Sequence, residues 1–447
     1  MITRTSTYSK NNIATYKILD DLKVEVSVQQ NVYGIPLEDL FLMAARINKK
    51  RAFLFVSKVL GKHIPIQPAK GILVGALLAA RYLEERSGEQ QEITSDLLSQ
   101  FMMDKPGSAE ISSFIDDSNP IVIGFAETAT ALGHAFFEAF KEADYFHTTR
   151  EWLDEVEPAI TFEEEHSHAT SHRAYIKKEL LNNSREIILV DDELTTGKTA
   201  LNIIRSIHAS FPRTTYTVVS ILDWRSDEHI ALFKSLEAEL GIEIHSVSLV
   251  KGTVSVEGQA NLLENEQDSP YTIGDIVQNV SYHEIPNPSA TIYKDERNHS
   301  YTSYTGRFGL TADENREATV WLEETGNQLA GLRTGRTLVL GTGEYMYLPM
   351  KIASYMGDGV FYQSTTRSPI YPLFKEKYGA TNRYSFPDPM NHSIQNYVYN
   401  ISPGEYDDLF LFFERKIESE QLDALLEELK RAQVPNINVI YLDEGCE

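Results

Sequence analysis

Cysteine is almost absent from this sequence, with Cys446 the single example. One thiol cannot build a disulfide framework or a cysteine metal cage within a chain, which excludes a stapled secreted scaffold and fits a reducing compartment. Long apolar runs are missing too. The most apolar stretch, GILVGALLAARYL at Gly71–Leu83, carries Arg81 and is short of the roughly 20 residues that span a bilayer. The first residues, MITRTSTYSKNNIATYK, hold no apolar signal segment. These absences lead us to expect a cytoplasmic protein with no membrane partner. Basic charge is also scarce, 41 Lys and Arg against 65 Asp and Glu, a formal net charge of −24. That average field repels a phosphate polymer, so nucleic acid is not an expected partner, although a local basic pocket for a small anion remains open.

Apolar residues make up 42% of the 447 positions, enough for sizeable cores in two or three domains. Strand-like and helix-like segments alternate. PIVIG leads into ATALGHAFFEAF, EIILV into a helix from about Lys198 to His208, and TYTVVSILD into a helix near Glu228–Leu240, followed by EIHSVSLV. This alternation predicts an α/β fold with a mainly parallel sheet flanked by helices. PLEDLFLMAARINKK, with Leu37, Leu40, Phe41 and Ala44 at helical spacing, predicts a helix ahead of a strand FLFV. We expect a first domain over residues 1–255 and a polar connecting segment over 256–305. A second α/β domain is expected over 306–447, where RTLVLGTGEYMYLPMKIASYMG resumes the alternation.

The chemistry concentrates in IILVDDELTTGKTA, Ile187–Ala200. Its Gly-Lys-Thr suggests an ATP loop, but the position that must be the first glycine of that loop is Asp192, and a carboxylate there opposes a polyphosphate. The residues fit another ligand. Four apolar residues make a buried strand that delivers Asp191, Asp192 and Glu193 to its carboxyl end, where open α/β sheets bind ligands. Leu194 then leads into Thr195-Thr196-Gly197-Lys198-Thr199, a hydroxyl-rich turn whose free amides at a helix start suit one phosphate. Vicinal hydroxyls for the aspartates and a monophosphate for the turn describe a 5-phosphorylated ribose. A junction capped only for stability is the plain alternative.

This stretch resembles the signature of the type I phosphoribosyltransferases. The resemblance implies that Asp191 and Asp192 hold the ribose hydroxyls of phosphoribosyl pyrophosphate (PRPP), with Mg²⁺ bound mostly through the ligand, and that the 195–199 turn holds its 5-phosphate. It also implies a second anion site after an earlier strand. Here that is Gly124-Phe125-Ala126-Glu127-Thr128, with Arg150 as a bidentate partner for pyrophosphate. FEEEHSHATSHRAY, Phe162–Tyr175, occupies the place of a loop that closes over the reactants, which makes His166, His168, His172 and Arg173 candidates for meeting pyrophosphate or passing a proton. The three histidines with Glu163–Glu165 leave a transition-metal hydrolase open. The basic run Arg46–Pro65, with Arg46, Lys49, Lys50, Arg51, Lys58, Lys62 and His63, reads as an anion-attracting face or as a solvated helix end.

QSTTRSPIYP, Gln363–Pro372, adds a second cue. With the PRPP motif it resembles a bacterial family in which a phosphoribosyltransferase domain precedes a domain named for its Thr-Arg-Ser-Pro (TRSP) motif. That family is associated with Ter (tellurite-resistance) stress operons and with synthesis of a ribonucleoside-like product. The residues suggest a repeat as well. Gly124, Glu127 and Thr148-Thr149-Arg150 recur at identical spacing as Gly341, Glu344 and Thr365-Thr366-Arg367. We therefore read the second domain as a diverged copy, with DLFLFFERKIES in place of the PRPP strand and Gly341, Glu344, Arg367 and Ser368 around a second pocket. Arg307 is a further candidate there. The expected activity is Mg²⁺-dependent phosphoribosyl transfer from PRPP to a nitrogenous base, in a chain that dimerises as such enzymes often do. A PRPP- or nucleotide-sensing protein without turnover is the alternative.

Overall fold

A computed structural model describes residues 13–19, 21–47, 52–105, 107, 111–153, 156–163, 171–260, 262, 276–294 and 300–443. In chain order the first half runs β1 (Ile13–Lys17), β2 (Lys23–Asn31), α1 (Leu37–Leu40), β3 (Phe41–Ala45), β4 (Phe53–Ser57), α2 (Pro68–Ser87) and α3 (Glu92–Met102). It continues through β5 (Ile121–Gly124), α4 (Ala129–Phe137), β6 (Asp144–His147), β7 (Ile160–Glu163), β8 (Ser171–Ala174), β9 (Ile187–Leu194), α5 (Lys198–Ser210), β10 (Thr215–Asp223), α6 (Asp227–Leu240) and β11 (Glu243–Glu257). The second half holds β12 (Asn279–Ile285), β13 (Ala290–Lys294), β14 (Ser300–Thr302), β15 (Leu310–Thr311), α7 (Ala312–Ala330), β16 (Thr337–Gly341) and α8 (Tyr347–Tyr355). It ends with β17 (Val360–Ser364), β18 (Arg383–Pro387), β19 (Gln395–Tyr399), β20 (Asp408–Phe413), α9 (Ser419–Leu429) and β21 (Asn436–Leu442).

The parallel core of the first sheet has the order β11-β10-β9-β5-β6, with β1, β2 and β15 added antiparallel at its edges. In the order of appearance along the chain this is a 2-1-3-4-5 sheet whose winding reverses between β5 and β9, and a ligand crevice opens at such a reversal. The strands are buried on both faces, so they read as near-continuous apolar runs: Ile187–Val190 are all fully buried. The amphipathic α5 and the almost wholly buried α2 cover the two faces.

The second sheet, β12-β21-β20-β16-β17, is entirely parallel and repeats the 2-1-3-4 order with β17, β16, β20 and β21. β12 comes from the stretch expected to be a connection and forms this sheet's outer edge. The helices α4 and α8 face each other across the halves. His134 stacks on Tyr347 at 3.8 Å between ring centres, and buried Lys351 pairs with Glu138 at 3.1 Å. One hydrophobic cluster runs through both halves, including Val122, Ala135, Tyr347, Met350 and Phe410.

The expected helix over PLEDLFLMAARINKK is corrected. Only Leu37–Leu40 is helical, and Phe41–Ala45 is a strand paired antiparallel with β4. Phe41 packs edge-on against Phe55 at 4.8 Å, so burial of an aromatic hairpin overrides helical spacing.

Candidate active site

The site is built where β5 stops and β9 does not. β5 pairs with β9 only as far as Gly124 opposite Val190, while β9 continues beside β10 through Leu194. Asp191, Asp192 and Glu193 therefore lie on a strand whose other neighbour has ended. The Asp192 amide donates to Asp191 Oδ1 at 2.9 Å. Loss of hydration, and then the charge of Asp192, push the Asp191 carboxyl well above its ordinary range. Among the described residues no ion pair from Lys, Arg or His reaches either carboxylate, so the pair is set to accept hydroxyl donors or a hard cation.

After β9 the chain turns at Thr195–Gly197 into α5. Gly197 has φ +70°, and a Cβ there would stand 2.5 Å from the Phe233 ring, so both the backbone angle and the space require glycine. The α5 start has no side-chain cap from its N-cap residue Gly197, and the Lys198 amide donates to the Thr196 hydroxyl at 3.3 Å. Arg225 backs this turn, held by Asp223 at 2.6 Å and lying over the Phe233 ring.

The Gly124–Thr128 turn, expected as a second anion site, follows β5. The Thr148 amide donates to Gly124 O at 2.9 Å, and the Ala126 amide donates to Thr148 Oγ1 at 3.0 Å. The Ala126–Glu127 peptide is cis. A Cβ on Gly124 would come within 2.5 Å of Ala129 O, so the following helix can pack this close only on glycine. Lys62 donates to Thr128 Oγ1 and pairs with Glu127 at 3.5 Å.

A cavity of about 240 Å³ joins these parts. Glu127, Thr128, Asp192 and Glu193 line it from the strand ends, Arg46, Lys62 and His63 from the basic run, and Leu54 and Phe55 from β4. Arg150 lines it, and so do Arg367, Ser368 and Pro369 from the other half. His63 is buried; desolvation, then Lys62 and Arg46, hold its pKa well below the ordinary imidazole value, so it is neutral. Of the basic run, Arg46, Lys62 and His63 thus wall the cavity, while Lys58 does not line it. Asp191, Leu194 and the 195–199 turn continue the same sheet edge without lining this cavity. His166 and His168 lie outside the described residues, as do Lys49, Lys50, Arg51 and Cys446. The hairpin β7–β8 flanks the first two of these, and His172 Nδ1 lies 2.9 Å from Thr148 Oγ1. Among the described residues no group of three or more His, Cys, Asp or Glu could hold a metal.

The second half repeats the two hydrogen bonds of this turn, without its cis peptide. The Thr365 amide donates to Gly341 O at 2.9 Å, the Gly343 amide donates to Thr365 Oγ1 at 3.0 Å, and a Cβ on Gly341 would crowd Tyr345 O at 2.8 Å. The halves also interlock. Thr366 Oγ1 donates to Glu127 Oε2 at 3.3 Å, and the Arg150 amide donates to the equivalent Glu344 at 2.8 Å. Ser368 was expected in a second-domain pocket; it lines the first cavity instead, because the Thr-Arg-Ser-Pro segment crosses over. Glu344 and Arg367 do line a second cavity, whereas Gly341 lies behind its Thr342–Glu344 rim. The roles of Leu54, Phe55 and the crossing segment were not readable from spacing, since they depend on contacts between distant parts of the chain.

Residues 40–253 match a family model described as phosphoribosyl transferase, and residues 304–429 match the TRSP domain that lies C-terminal to it. No curated protein matches the sequence. Solved structures with local similarity are adenine phosphoribosyltransferases. The one from Trypanosoma brucei, in complex with AMP, pyrophosphate and ribose-5-phosphate, has 8% identity over 53% of this chain and 87% of its own, with a TM-score of 0.31. Those from Leishmania tarentolae (14%, 47% and 84%, TM-score 0.26) and Giardia lamblia with 9-deazaadenine (17%, 29% and 69%, TM-score 0.22) follow. At such scores the strand order and the family models, not the overlays, carry the assignment. No helix among the described residues is long and apolar enough to cross a membrane.

Proposed function

With residues 40–253 belonging to the phosphoribosyl transferase family and residues 304–429 forming its TRSP companion, we propose that this enzyme transfers a 5-phosphoribosyl group from PRPP to a nitrogenous base and releases pyrophosphate. The observation that carries this reading is the un-neutralised Asp191–Asp192 pair at the sheet reversal, between an uncapped helix start and a cation-walled cavity. Asp191 and Asp192 accept the ribose hydroxyls, and the Thr195–Thr199 amides and hydroxyls hold the 5-phosphate. The pyrophosphate lies against the Gly124–Thr128 turn, where Lys62, Arg150 and Arg367 face it. Two carboxylates and a pyrophosphate fit the hard-oxygen preference of Mg²⁺, which supplies charge neutralisation to the leaving group when bound.

In the transfer the base nitrogen bonds to the anomeric carbon, the C–O bond electrons leave with pyrophosphate, and the nitrogen's proton is lost to pyrophosphate or solvent. The chain contributes position and a preorganised cationic wall at the departing charge. Arg367 makes the second half part of the first half's site, so the TRSP motif acts on the leaving group. The base would enter beside Phe55 and Leu54. The family association further suggests a nucleotide-like stress metabolite as product. The test is pyrophosphate release from PRPP and Mg²⁺ across a panel of purine, pyrimidine and pyridine bases. At least one base should give turnover that Asp192→Asn removes; binding of PRPP without turnover for any base would instead favour a sensor.

A further inference from the structure

The two cavities are counterparts. The first is closed by Arg367-Ser368-Pro369 from the second half, and the second by Arg150-Glu151-Trp152 from the first, which are the equivalent positions in the repeat. The second cavity is much larger, about 760 Å³. It lies at the same place on its own sheet, beside the carboxyl ends of β16 and β20. By register Glu414 stands where Asp192 stands, two residues past the partner of the turn glycine (Phe412 opposite Gly341, as Val190 is opposite Gly124).

Its chemistry has changed in two places. Glu414 is not available to a sugar, because buried Arg307 binds both of its oxygens at 3.0 and 2.7 Å. The α9 start is not available to a phosphate either. There the Gln421 amide donates to the Glu418 carbonyl at 3.0 Å, and the Gln421 side chain accepts from the Glu418 amide at 3.4 Å, with no hydroxyl-rich turn before it. A ribose 5-phosphate cannot bind this half as it would bind the first. The anion turn, however, is intact, with Gly343 bonded to Thr365 and the Arg150 and Arg367 segments beside it. Among the described residues no hydrogen bond or ion pair engages the Arg367 side chain. The opposite end is apolar and amide-rich. Phe386, Met390, Ile394 and Phe413 meet Asn391 and Gln421 there, on a hairpin loop fastened by Asp388, which accepts from the Met390 amide at 2.8 Å and from Asn396 at 2.7 Å. Tyr345 also lines the cavity and is 2% exposed.

We propose that this second cavity is a binding site for a planar heterocycle bearing an anionic group, of the nucleoside monophosphate class. The phosphate lies at the Arg367–Gly343 end, and the heterocycle between Phe413, Phe386 and Met390 in reach of the Asn391 amide. The site stands whether or not the first cavity holds PRPP, and since Arg150 and Arg367 line both, an occupant of one meets the wall of the other.

The experiment titrates AMP, GMP, CMP, UMP and inorganic phosphate, separately, into full-length Asp191→Asn/Asp192→Asn protein by calorimetry. One or more nucleotides should bind at one per chain and at least tenfold more tightly than phosphate. In the same background Ile394→Trp, which fills only the second cavity, should weaken that binding tenfold or more, and Arg367→Ala by several fold, whereas Lys62→Ala in the first cavity should leave it unchanged. If Ile394→Trp fails to fold, Met390→Ala, at a wall residue 37% exposed that meets the heterocycle, replaces it and should weaken binding by several fold. No nucleotide binding, binding no tighter than phosphate, or loss with Lys62→Ala but not with the second-cavity variants would overturn the proposal.

Discussion

The two halves share strand order, anion turn and crossing Thr-Thr-Arg segment, yet treat their acidic strand ends in opposite ways. In the first, Asp191 and Asp192 crowd each other with no cation between them, and the helix start beyond is uncapped. In the second, Glu414 is satisfied by Arg307, which binds both of its oxygens. Around Arg307 the compensation extends further: burial alone would raise Glu151, but Arg415 and Arg307 hold its pKa down to about 2. The first half stores an unmet demand that a ligand can satisfy. The second has met the same demand internally, as a structural ion cluster. A shared fold therefore says little about activity, which resides in whether these few groups are left unsatisfied.

The largest expected effects come from changing one acidic strand end at a time. Glu414→Gln removes the bidentate partner of buried Arg307, leaves it the longer contacts to Glu151 and Glu344, and should cost about 1–3 kcal/mol in denaturant unfolding, with PRPP binding by the remaining folded protein little altered. Asp191→Asn should do the reverse. A carboxyl whose folded pKa is raised binds protons more tightly in the fold, so its contribution to stability falls as pH rises from its unfolded value through the folded one. Removing it should raise the melting temperature near neutral pH while abolishing PRPP binding. If both variants behave alike, the contrast between the halves is wrong.

Next in size is Arg367→Ala, which tests whether the second half serves the first half's chemistry. It should lower kcat by about 10²-fold, the usual loss when one donor to developing charge is removed, with unfolding unchanged within error. An unaltered kcat would detach the TRSP motif from the transfer step. Gly124→Ala and Gly341→Ala sharpen the comparison further. Each pushes a Cβ against a backbone carbonyl and should cost about 1–3 kcal/mol, but only Gly124→Ala should also reduce turnover sharply, because only that turn faces the reacting pyrophosphate.

The last effect, confined to acid pH, concerns the joint between the halves. His134 bonds Asn315 at 2.7 Å and stacks on Tyr347, and burial holds its pKa down to about 4 from an ordinary 6.5. A lowered folded pKa means stability present above about pH 6.5 and lost as pH falls toward 4, of order 3 kcal/mol in all. Acid melting curves of His134→Gln should lack that component.

Much of this was legible in the sequence because the βα units are local. The strand ending in Asp191-Asp192, the glycine-containing turns and the spacing from Gly124 to Arg150 and from Gly341 to Arg367 lie within short windows, where apolar runs and turn residues decide structure. Phe41–Ala45 was misread because its apolar residues satisfy a helical period, while its strand state depends on pairing with Phe53–Ser57. The crossing of Ser368 into the first cavity was hidden for a different reason. It depends on Thr366 meeting Glu127, 239 positions away, and no local pattern encodes that distance. The sealing of Glu414 by Arg307 is likewise a long-range pairing.

The most direct test of the central claim is calorimetric titration of PRPP with Mg²⁺ into wild type and into Asp191→Asn/Asp192→Asn. The account predicts one binding event per chain in wild type, at the first half, and its loss in a variant that is folded and no less stable. Folded wild type that does not bind PRPP, or a variant that binds it as well as wild type does, would contradict the account.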